Sequence, residues 1–129
     1  MTGFDPAVHC GPLAALPDLS SRSDSRVRRF AGERVMLQEA MMQAGCTFEP
    51  HAHHNEQLVL VLSGRVRIDI GPGLDALEPV EMGPGDYMIV PPHVLHGGEA
   101  LEDCRLIDAF NPPRTTLVSE AEPEPEGTQ

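Results

Sequence analysis

Short apolar runs, some of them alternating with polar residues, dominate the middle of this chain. Residues 65–70 read Arg-Val-Arg-Ile-Asp-Ile, an alternation that is typical of a strand with one buried face. Residues 58–62 are uniformly apolar, and Ser63-Gly64 follows them, so we expect these two runs to pair as a hairpin. Similar strand-like runs cover residues 26–30, 34–42, 86–90 and 104–110, with a minor strand at 80–82.

No helical period is sustained anywhere, and six to eight short strands at near-regular spacing predict an all-β sandwich or barrel. Residues 1–22 mix Pro, Gly and Ser and are expected to form a flexible N-terminal arm. Residues 119–129 are acidic and rich in Pro without apolar anchors, so a disordered tail is expected there. The barrel itself is predicted over residues 23–118.

The composition agrees with one small β domain. A chain of 129 residues fits a single domain, and its 12 Gly and 13 Pro residues are typical of turns between short strands. There is no Trp, one Tyr and four Phe, so the core has to come from Val, Leu, Ile and Met. The β-branched share of these residues favours strands.

The charge narrows the possible partners and mechanisms. The formal net charge is −11, which argues against a nucleic-acid partner or an anionic membrane. All nine basic residues are Arg, so chemistry that needs a lysine Schiff base or a lysine base is excluded. An anionic substrate would have to be held by Arg, a backbone amide or a metal ion.

The cysteines and the N-terminus indicate a reducing compartment. Cys10, Cys46 and Cys104 are odd in number and far apart, without a C-x-x-C pair, and buried or idle thiols are expected rather than a disulfide framework. The first residues lack a basic and an apolar signal region, and no long apolar run follows. The expected location is the cytoplasm.

Four polar residues from two distant segments are the strongest candidate site. In an extended strand, His51 and His53 point the same way, with Cα atoms roughly 6.6 Å apart. Two such imidazoles can bind one divalent ion, and His96 lies in a second segment of similar character. Gln57 faces the same side by alternation, and its amide oxygen completes a four-ligand shell without adding charge. Glu56 faces the opposite side.

Other polar residues have two open interpretations. His54 and His93 are expected behind the ligands or at the mouth of the site rather than in the shell. Asp108 shares a face with Leu106 and Phe110, so it is either a buried carboxyl with a raised pKa, suited to acid–base catalysis, or a residue pointing outward at a strand end. Arg114 follows a stiff Asn-Pro-Pro turn, which either aims the guanidinium at the barrel mouth or leaves it in solvent.

Two segments of the chain resemble the two motifs of the cupin family. The first family motif is a glycine, five residues, His-x-His, three or four residues, a glutamate, six residues and a glycine. Here Gly45, His51, His53, Gln57 and Gly64 follow this spacing, with Gln in place of Glu. The resemblance, which covers about residues 26–118, implies a single-domain antiparallel β-barrel of the double-stranded β-helix, or jelly-roll, type.

The second family motif is matched with two departures. Gly85, Pro91 and His96 stand at the family spacing, while His93 replaces a glycine and Ala100 replaces an asparagine. The exchange of Glu for Gln in the first motif removes one negative charge from the shell. The ligand set therefore suits one divalent ion, Zn²⁺ or Ni²⁺ rather than Fe²⁺ or Mn²⁺.

Within this family the sequence resembles the KdgF-type pectin-degradation cupins. The resemblance rests on the segments around His51, His96 and Asp108, the last of which reads D-x-F-x-x-x-R. These proteins convert 4,5-unsaturated uronate monosaccharides into linear keto-uronates. The resemblance implies His51, His53, Gln57 and His96 as metal ligands, and Asp108, Phe110 and Arg114 as the catalytic, substrate-side set.

Two rival functions stay open at the level of sequence. One is a metal-dependent dioxygenase or an isomerase of another small molecule, and the other is a cupin that binds a small ligand without turnover. A small, anionic, sugar-derived molecule is the expected partner. A homodimer is also expected, because a barrel of so few strands leaves an edge to be covered, with residues 26–30 as the candidate edge.

Overall fold

Nine strands account for about half of residues 3–115, which are the residues that the structure, a computed structural model, describes. The strands in chain order are β1 (Ser25–Ala31), β2 (Met36–Met42), β3 (Thr47–His51), β4 (Glu56–Ser63), β5 (Val66–Gly71), β6 (Glu78–Met82), β7 (Tyr87–Val90), β8 (Leu95–Ala100) and β9 (Cys104–Asn111). The predicted tail at 119–129, and residues 116–118 of the predicted barrel, lie outside the described residues.

The strands form two antiparallel sheets that face each other. One has the order β1-β2-β9-β4-β7 and the other the order β3-β8-β5-β6. Strands that follow each other in sequence alternate between the sheets from β3 to β5, as in a jelly roll. The predicted all-β antiparallel barrel is therefore confirmed, and β1, the predicted edge, is indeed the end strand of its sheet.

The predicted hairpin of residues 58–62 with 65–70 is wrong. β4 pairs with β7 and β9, whereas β5 pairs with β6 and β8, so the two strands belong to opposite sheets. The chain crosses between the sheets at Gly64, where φ is +75° and an added Cβ would lie 2.1 Å from the carbonyl oxygen of Asp103. Only glycine tolerates that combination of conformation and close approach.

The core lies between the two sheets and is built from side chains at alternate strand positions. On β4, Val59 and Val61 are buried while Leu58, Leu60 and Leu62 are exposed, so the apolar run has two different faces. The buried apolar cluster consists of small and medium side chains: Ala40, Cys46, Val59, Val61, Val66, Ile68, Met82, Val90, Ala100, Cys104 and Leu106.

β9 is the central strand of its sheet and carries the core into the site. It pairs with β2 on one side and β4 on the other. Its buried positions are Cys104, Leu106, Asp108 and Phe110. The first half of the buried face is therefore apolar, and the second half contains a carboxyl group. This alternation places Asp108 inside the barrel, and the alternative of an outward carboxylate does not hold.

The N-terminal segment is attached to the edge of the larger sheet. It contains a one-turn helix, Pro6–His9, and a 3₁₀ turn, Leu13–Ala15. The backbone amide of Leu19 donates to Val27, and the amide of Val27 donates to the carboxylate of Asp18 at 3.0 Å. Among the described residues, no helix has the length and apolar character needed to cross a membrane.

Candidate metal centre

Three histidine rings meet between the two sheets at one end of the barrel. His51 ends β3 and lies directly opposite His96 of β8, with ring centroids 4.4 Å apart. His53 joins them, its centroid 4.9 Å from that of His96 and 5.5 Å from that of His51. All three side chains are buried, and one nitrogen of each lies within 4.8 Å of the others.

His53 reaches this cluster in a different way from the one predicted. The expectation of one extended strand carrying both His51 and His53 is wrong, because β3 ends at His51 and His53 lies in the connection to β4. The backbone carbonyl of His53 accepts a hydrogen bond from the amide of His93 at 2.8 Å. The connection, rather than strand alternation, therefore orients His53.

The hydrogen bonds of the three rings favour metal binding through one particular nitrogen. Each Nδ1 faces a backbone carbonyl two residues away, at 2.9 Å for His51, 3.1 Å for His53 and 2.9 Å for His96. A carbonyl can only accept, so Nδ1 carries the proton and Nε2 keeps its lone pair. Nε2 of His96 is buried without a hydrogen-bond partner in the protein, as expected for an atom whose partner is an ion.

Two of the three rings, those of His53 and His96, are also neutral at neutral pH, as metal ligands must be. Burial lowers the pKa of His53 to about 4, and the positive charge of Arg114 lowers it further. Burial lowers the pKa of His96 to about 3, with the neighbouring His51 as the next cause. At neutral pH these nitrogens therefore do not have to release a proton before they bind a cation.

Gln57 supplies the fourth donor atom. It is the second residue of β4, it is buried, and its Oε1 lies 3.2 Å from Nε2 of His53. Its Nε2 donates to Oδ1 of Asp108 at 3.3 Å. Because Asp108 takes the N–H side of the amide, the amide oxygen is turned toward the histidines. Three imidazoles and one carboxamide oxygen thus form an uncharged ligand set that fits one divalent ion.

Asp108 lies directly behind this ligand set. Its second oxygen, Oδ2, accepts a hydrogen bond from Nε2 of Gln38 at 3.4 Å, so each carboxylate oxygen has one amide donor. Burial raises the pKa of Asp108 to about 6, although the hydrogen bonds from Gln57 and Gln38 lower it. A carboxyl group with such a pKa can both accept and donate a proton near neutral pH.

Phe110 and Arg114 lie beside the histidines and close to each other. The Phe110 ring centroid is 5.9 Å from that of His53, and the guanidinium carbon of Arg114 is 5.5 Å from the centre of the Phe110 ring. Both residues are buried. The structure therefore brings together all seven predicted site residues, with the Arg114 guanidinium over the Phe110 ring rather than in solvent.

The cavity that reaches the ligand set is mostly apolar. It has a volume of about 50 Å³ and includes His51, Gln57, His96 and Asp108 in its lining. The rest of its wall contains apolar side chains of both sheets, together with the half-buried Arg22 and Ser25 and the exposed Thr47. A cavity with an apolar wall and a few convergent polar groups is typical of a small-molecule site.

The two other histidines of the motifs stay outside the cluster. His93 is exposed, and its backbone has φ +68° at the position where the family motif has glycine. That left-handed conformation is one that glycine adopts without strain. His54 is half-buried and does not belong to the group of close nitrogen atoms.

Two buried polar residues of the site, Gln38 and Asn55, were not predicted from the sequence. Gln38 is a polar residue between Met36 and Ala40 on the buried face of β2, and this break in an apolar face was a usable signal. Asn55 lies in the His53–Gln57 connection and is fully buried. Its sequence context resembles any polar loop, so only the structure identifies it.

Comparison with known proteins agrees with this geometry. A cupin-domain family model matches residues 38–110, more than half of the chain. The structure is similar to that of KdgF from Halomonas sp., with 26% sequence identity, a TM-score of 0.67, and coverage of 76% of this chain and 89% of that chain. Comparison of the sequence with curated proteins gives no match.

Two further solved structures share the fold at lower identity. An RmlC-like cupin from Shewanella frigidimarina has a TM-score of 0.72 at 23% identity, covering 82% of this chain and 92% of that chain. Oxalate decarboxylase from Bacillus subtilis, described for its Mn(II) centres, has a TM-score of 0.71 at 16% identity, over 81% of this chain and 29% of that one. With its two sheets, its motif residues around a three-histidine site and the family match, the chain belongs to the cupin family.

Proposed function

We propose that this cupin is a metal-dependent enzyme that converts 4,5-unsaturated uronate monosaccharides into linear keto-uronates. The observation that carries the proposal is the position of Asp108, a buried carboxyl group 3.3 Å from the amide nitrogen of Gln57. The oxygen of that same amide lies 3.2 Å from a histidine nitrogen of the ligand set. A proton-transfer group is thus hydrogen-bonded to one metal ligand, Gln57, and separated from the histidine ligands by that one side chain. The likeness to KdgF supports this reaction over others.

The donor set supports Zn²⁺ or Ni²⁺ rather than Fe²⁺ or Mn²⁺ as the ion. Three neutral imidazoles and the Gln57 amide add no negative charge, so the site lacks the carboxylate ligand that Mn²⁺ favours. A bound divalent ion would act as a Lewis acid toward the hydroxyl groups of the sugar. His51, His53, Gln57 and His96 would hold it.

Asp108 would move the proton in an isomerisation that leaves the molecular formula unchanged. As the carboxylate, it accepts the proton of the anomeric hydroxyl, and the bond between the ring oxygen and C1 breaks to give an aldehyde and an enolate. The protonated carboxyl then returns a proton to C4, which converts the enolate into a ketone. A pKa of about 6 lets the same group do both at neutral pH.

Arg114 and Phe110 would bind the substrate. The guanidinium, which lies over the Phe110 ring, would pair with the C6 carboxylate, and the ring would pack on the sugar face. A local cation of this kind lets a chain of net charge −11 hold an anion, because salt screens the distant acidic surface beyond ~10 Å.

A direct assay tests the proposal. The purified, Zn²⁺- or Ni²⁺-loaded protein is incubated with 4,5-unsaturated galacturonate, and the absorbance of the conjugated double bond is followed. We expect loss of absorbance well above the spontaneous rate, and its reduction by at least a hundredfold in Asp108→Asn with the metal content unchanged. A rate equal to the spontaneous one with metal bound would rule out this function.

A second candidate function is favoured by the apolar wall of the cavity. Val27, Val59 and Leu106 line it, and such a wall suits an apolar ligand better than a sugar acid. A dioxygenase or an isomerase of such a molecule would then use the same ligand set. Oxygen consumption that depends on added Fe²⁺ would support the dioxygenase. A cupin that only binds its ligand would change little beyond its ligand affinity in Asp108→Asn, and it would show no turnover in either form.

A further inference from the structure

Asn55 connects the metal ligand His53 with the turn that carries Arg114. It lies between His53 and β4, and its side chain is fully buried. Burial of an amide costs free energy unless the amide is hydrogen-bonded, so the contacts of this side chain decide what the residue contributes.

The backbone of Asn55 orients the metal ligand His53. Its carbonyl oxygen lies 3.1 Å from Nδ1 of that ring and accepts the proton of this nitrogen. This hydrogen bond keeps Nε2 unprotonated and turned toward the other two histidines. Partners of this kind affect metal affinity although they do not touch the ion.

The side chain of Asn55 holds the turn that carries Arg114. Its Nδ2 donates to the carbonyl oxygen of Pro112 at 2.5 Å, just after β9 ends. The carbonyl of Arg114 itself accepts a hydrogen bond from Nη1 of Arg29 at 3.4 Å. The turn is therefore attached both to the connection after β3 and to the edge strand β1.

The chemistry of the contact explains why the residue is Asn. Oδ1 of Asn55 is buried without a hydrogen-bond partner, so the side chain is used as a donor. An Asp of the same size would bring a carboxylate oxygen against the Pro112 carbonyl oxygen and would repel it. Asn55→Asp thus removes the donor while the volume stays the same.

We propose that Asn55 is a positioning residue that couples the metal ligand His53 to the turn bearing Arg114. Ordering of His53 by an ion would be transmitted through the Asn55 backbone and side chain to residues 111–115. The inference rests on the proposed function for the role of Arg114, but the coupling itself does not depend on any substrate.

The test uses metal binding and hydrogen exchange in the full chain, so it needs no activity. Zn²⁺ affinity is measured by competition with a chelator. Exchange is measured with and without Zn²⁺ at the backbone amides of Asn111, Arg114 and Thr115, the residues of this turn that carry an amide proton. In the wild type, we expect Zn²⁺ to slow exchange in this turn. In Asn55→Asp, we expect affinity to fall by about tenfold and the protection of the turn to disappear. Glu56→Gln, an exposed neighbour, is the matched control and should behave like the wild type.

The possible outcomes separate coupling from mere stability. Equal Zn²⁺ affinity and equal protection in Asn55→Asp would overturn the proposal, even if its melting temperature fell. Should Asn55→Asp fail to fold, Asn55→Ala gives the same two readouts, since it also lacks the donor and introduces no charge. If the wild type binds Zn²⁺ but does not turn over the uronate, the proposed function fails while the coupling is still decided by exchange.

Discussion

The amide of Gln57 is held in one orientation by the carboxylate of Asp108, which accepts its N–H at 3.3 Å and leaves its oxygen facing His53 at 3.2 Å. A Gln in the ligand set and an Asp behind it are therefore one unit. A glutamate at position 57, as in the usual family motif, would place two carboxylates against each other in a buried site.

Gln57→Glu tests this pairing. We expect the metal-free variant to lose about 1–3 kcal/mol of stability, because a buried carboxylate replaces the amide donor of Asp108. A divalent ion should restore most of the loss, since it neutralises the added charge. Thermal unfolding with chelator and with Mn²⁺ or Zn²⁺ measures both effects. Equal stability of the metal-free forms would show that the contact contributes little.

His96→Ala is expected to abolish stable metal binding. His96 lies at the centre of the histidine cluster, and its loss leaves two imidazoles and an amide, too few donors for a closed tetrahedral site. Metal content after purification, measured by mass spectrometry, should fall from about one ion per chain to below a tenth. His93→Ala is the control and should keep its ion, because His93 is exposed and outside the cluster. The prediction fails if both variants retain metal equally.

Stability of the metal-free protein should depend on pH through Asp108. Its pKa is raised from 3.8 to about 6 by burial, so the folded state binds more protons than the unfolded state between these values. Below about pH 3.8, Asp108 is protonated in both states and does not change the free energy of unfolding. As the pH rises from about 3.8 to 6, the free energy of unfolding should fall by about 3 kcal/mol in total.

Asp108→Asn isolates this contribution. The buried histidines, whose lowered pKa values act in the opposite direction, are present in both proteins and cancel in the difference. The stability of the Asn variant relative to the wild type should therefore increase between pH 4 and pH 6.5 in the presence of chelator. A difference that does not change with pH would contradict the raised pKa.

The three thiols should differ sharply in reactivity. Cys10 is exposed, whereas Cys46 and Cys104 are buried, and burial raises the pKa of Cys104 to about 11. Only the thiolate reacts with an alkylating agent, so iodoacetamide at pH 8 should modify one cysteine of the native chain, Cys10. Peptide mapping identifies the site, and the denatured protein, in which all three react, is the control. Rapid modification of Cys104 in the folded protein would contradict its burial.

Local sequence patterns were enough to predict much of the fold. The alternation in residues 65–70 and 104–110 identified two strands and their buried faces, because side chains in a strand alternate whatever the strand pairs with. The partner of a strand is not encoded in the same way. For this reason β4 and β5 looked like a hairpin, although a close approach of backbone at Gly64 sends them into opposite sheets.

The four donor side chains of the candidate metal site could be identified from the amino-acid sequence. Two sequence motifs identify these donors, which are His51, His53, Gln57 and His96. A motif specifies the types of donor residue and the number of residues between them, so no coordinates are needed. How these donors are oriented could be seen only once the chain was folded. The carbonyl that selects the tautomer of His53 lies in a loop without a regular sequence pattern. The carboxylate that orients Gln57 and the contact of Asn55 with the Arg114 turn each join segments that are far apart in the chain. Such contacts depend on how the two sheets position the ends of their strands, because directional hydrogen bonds form only at short range.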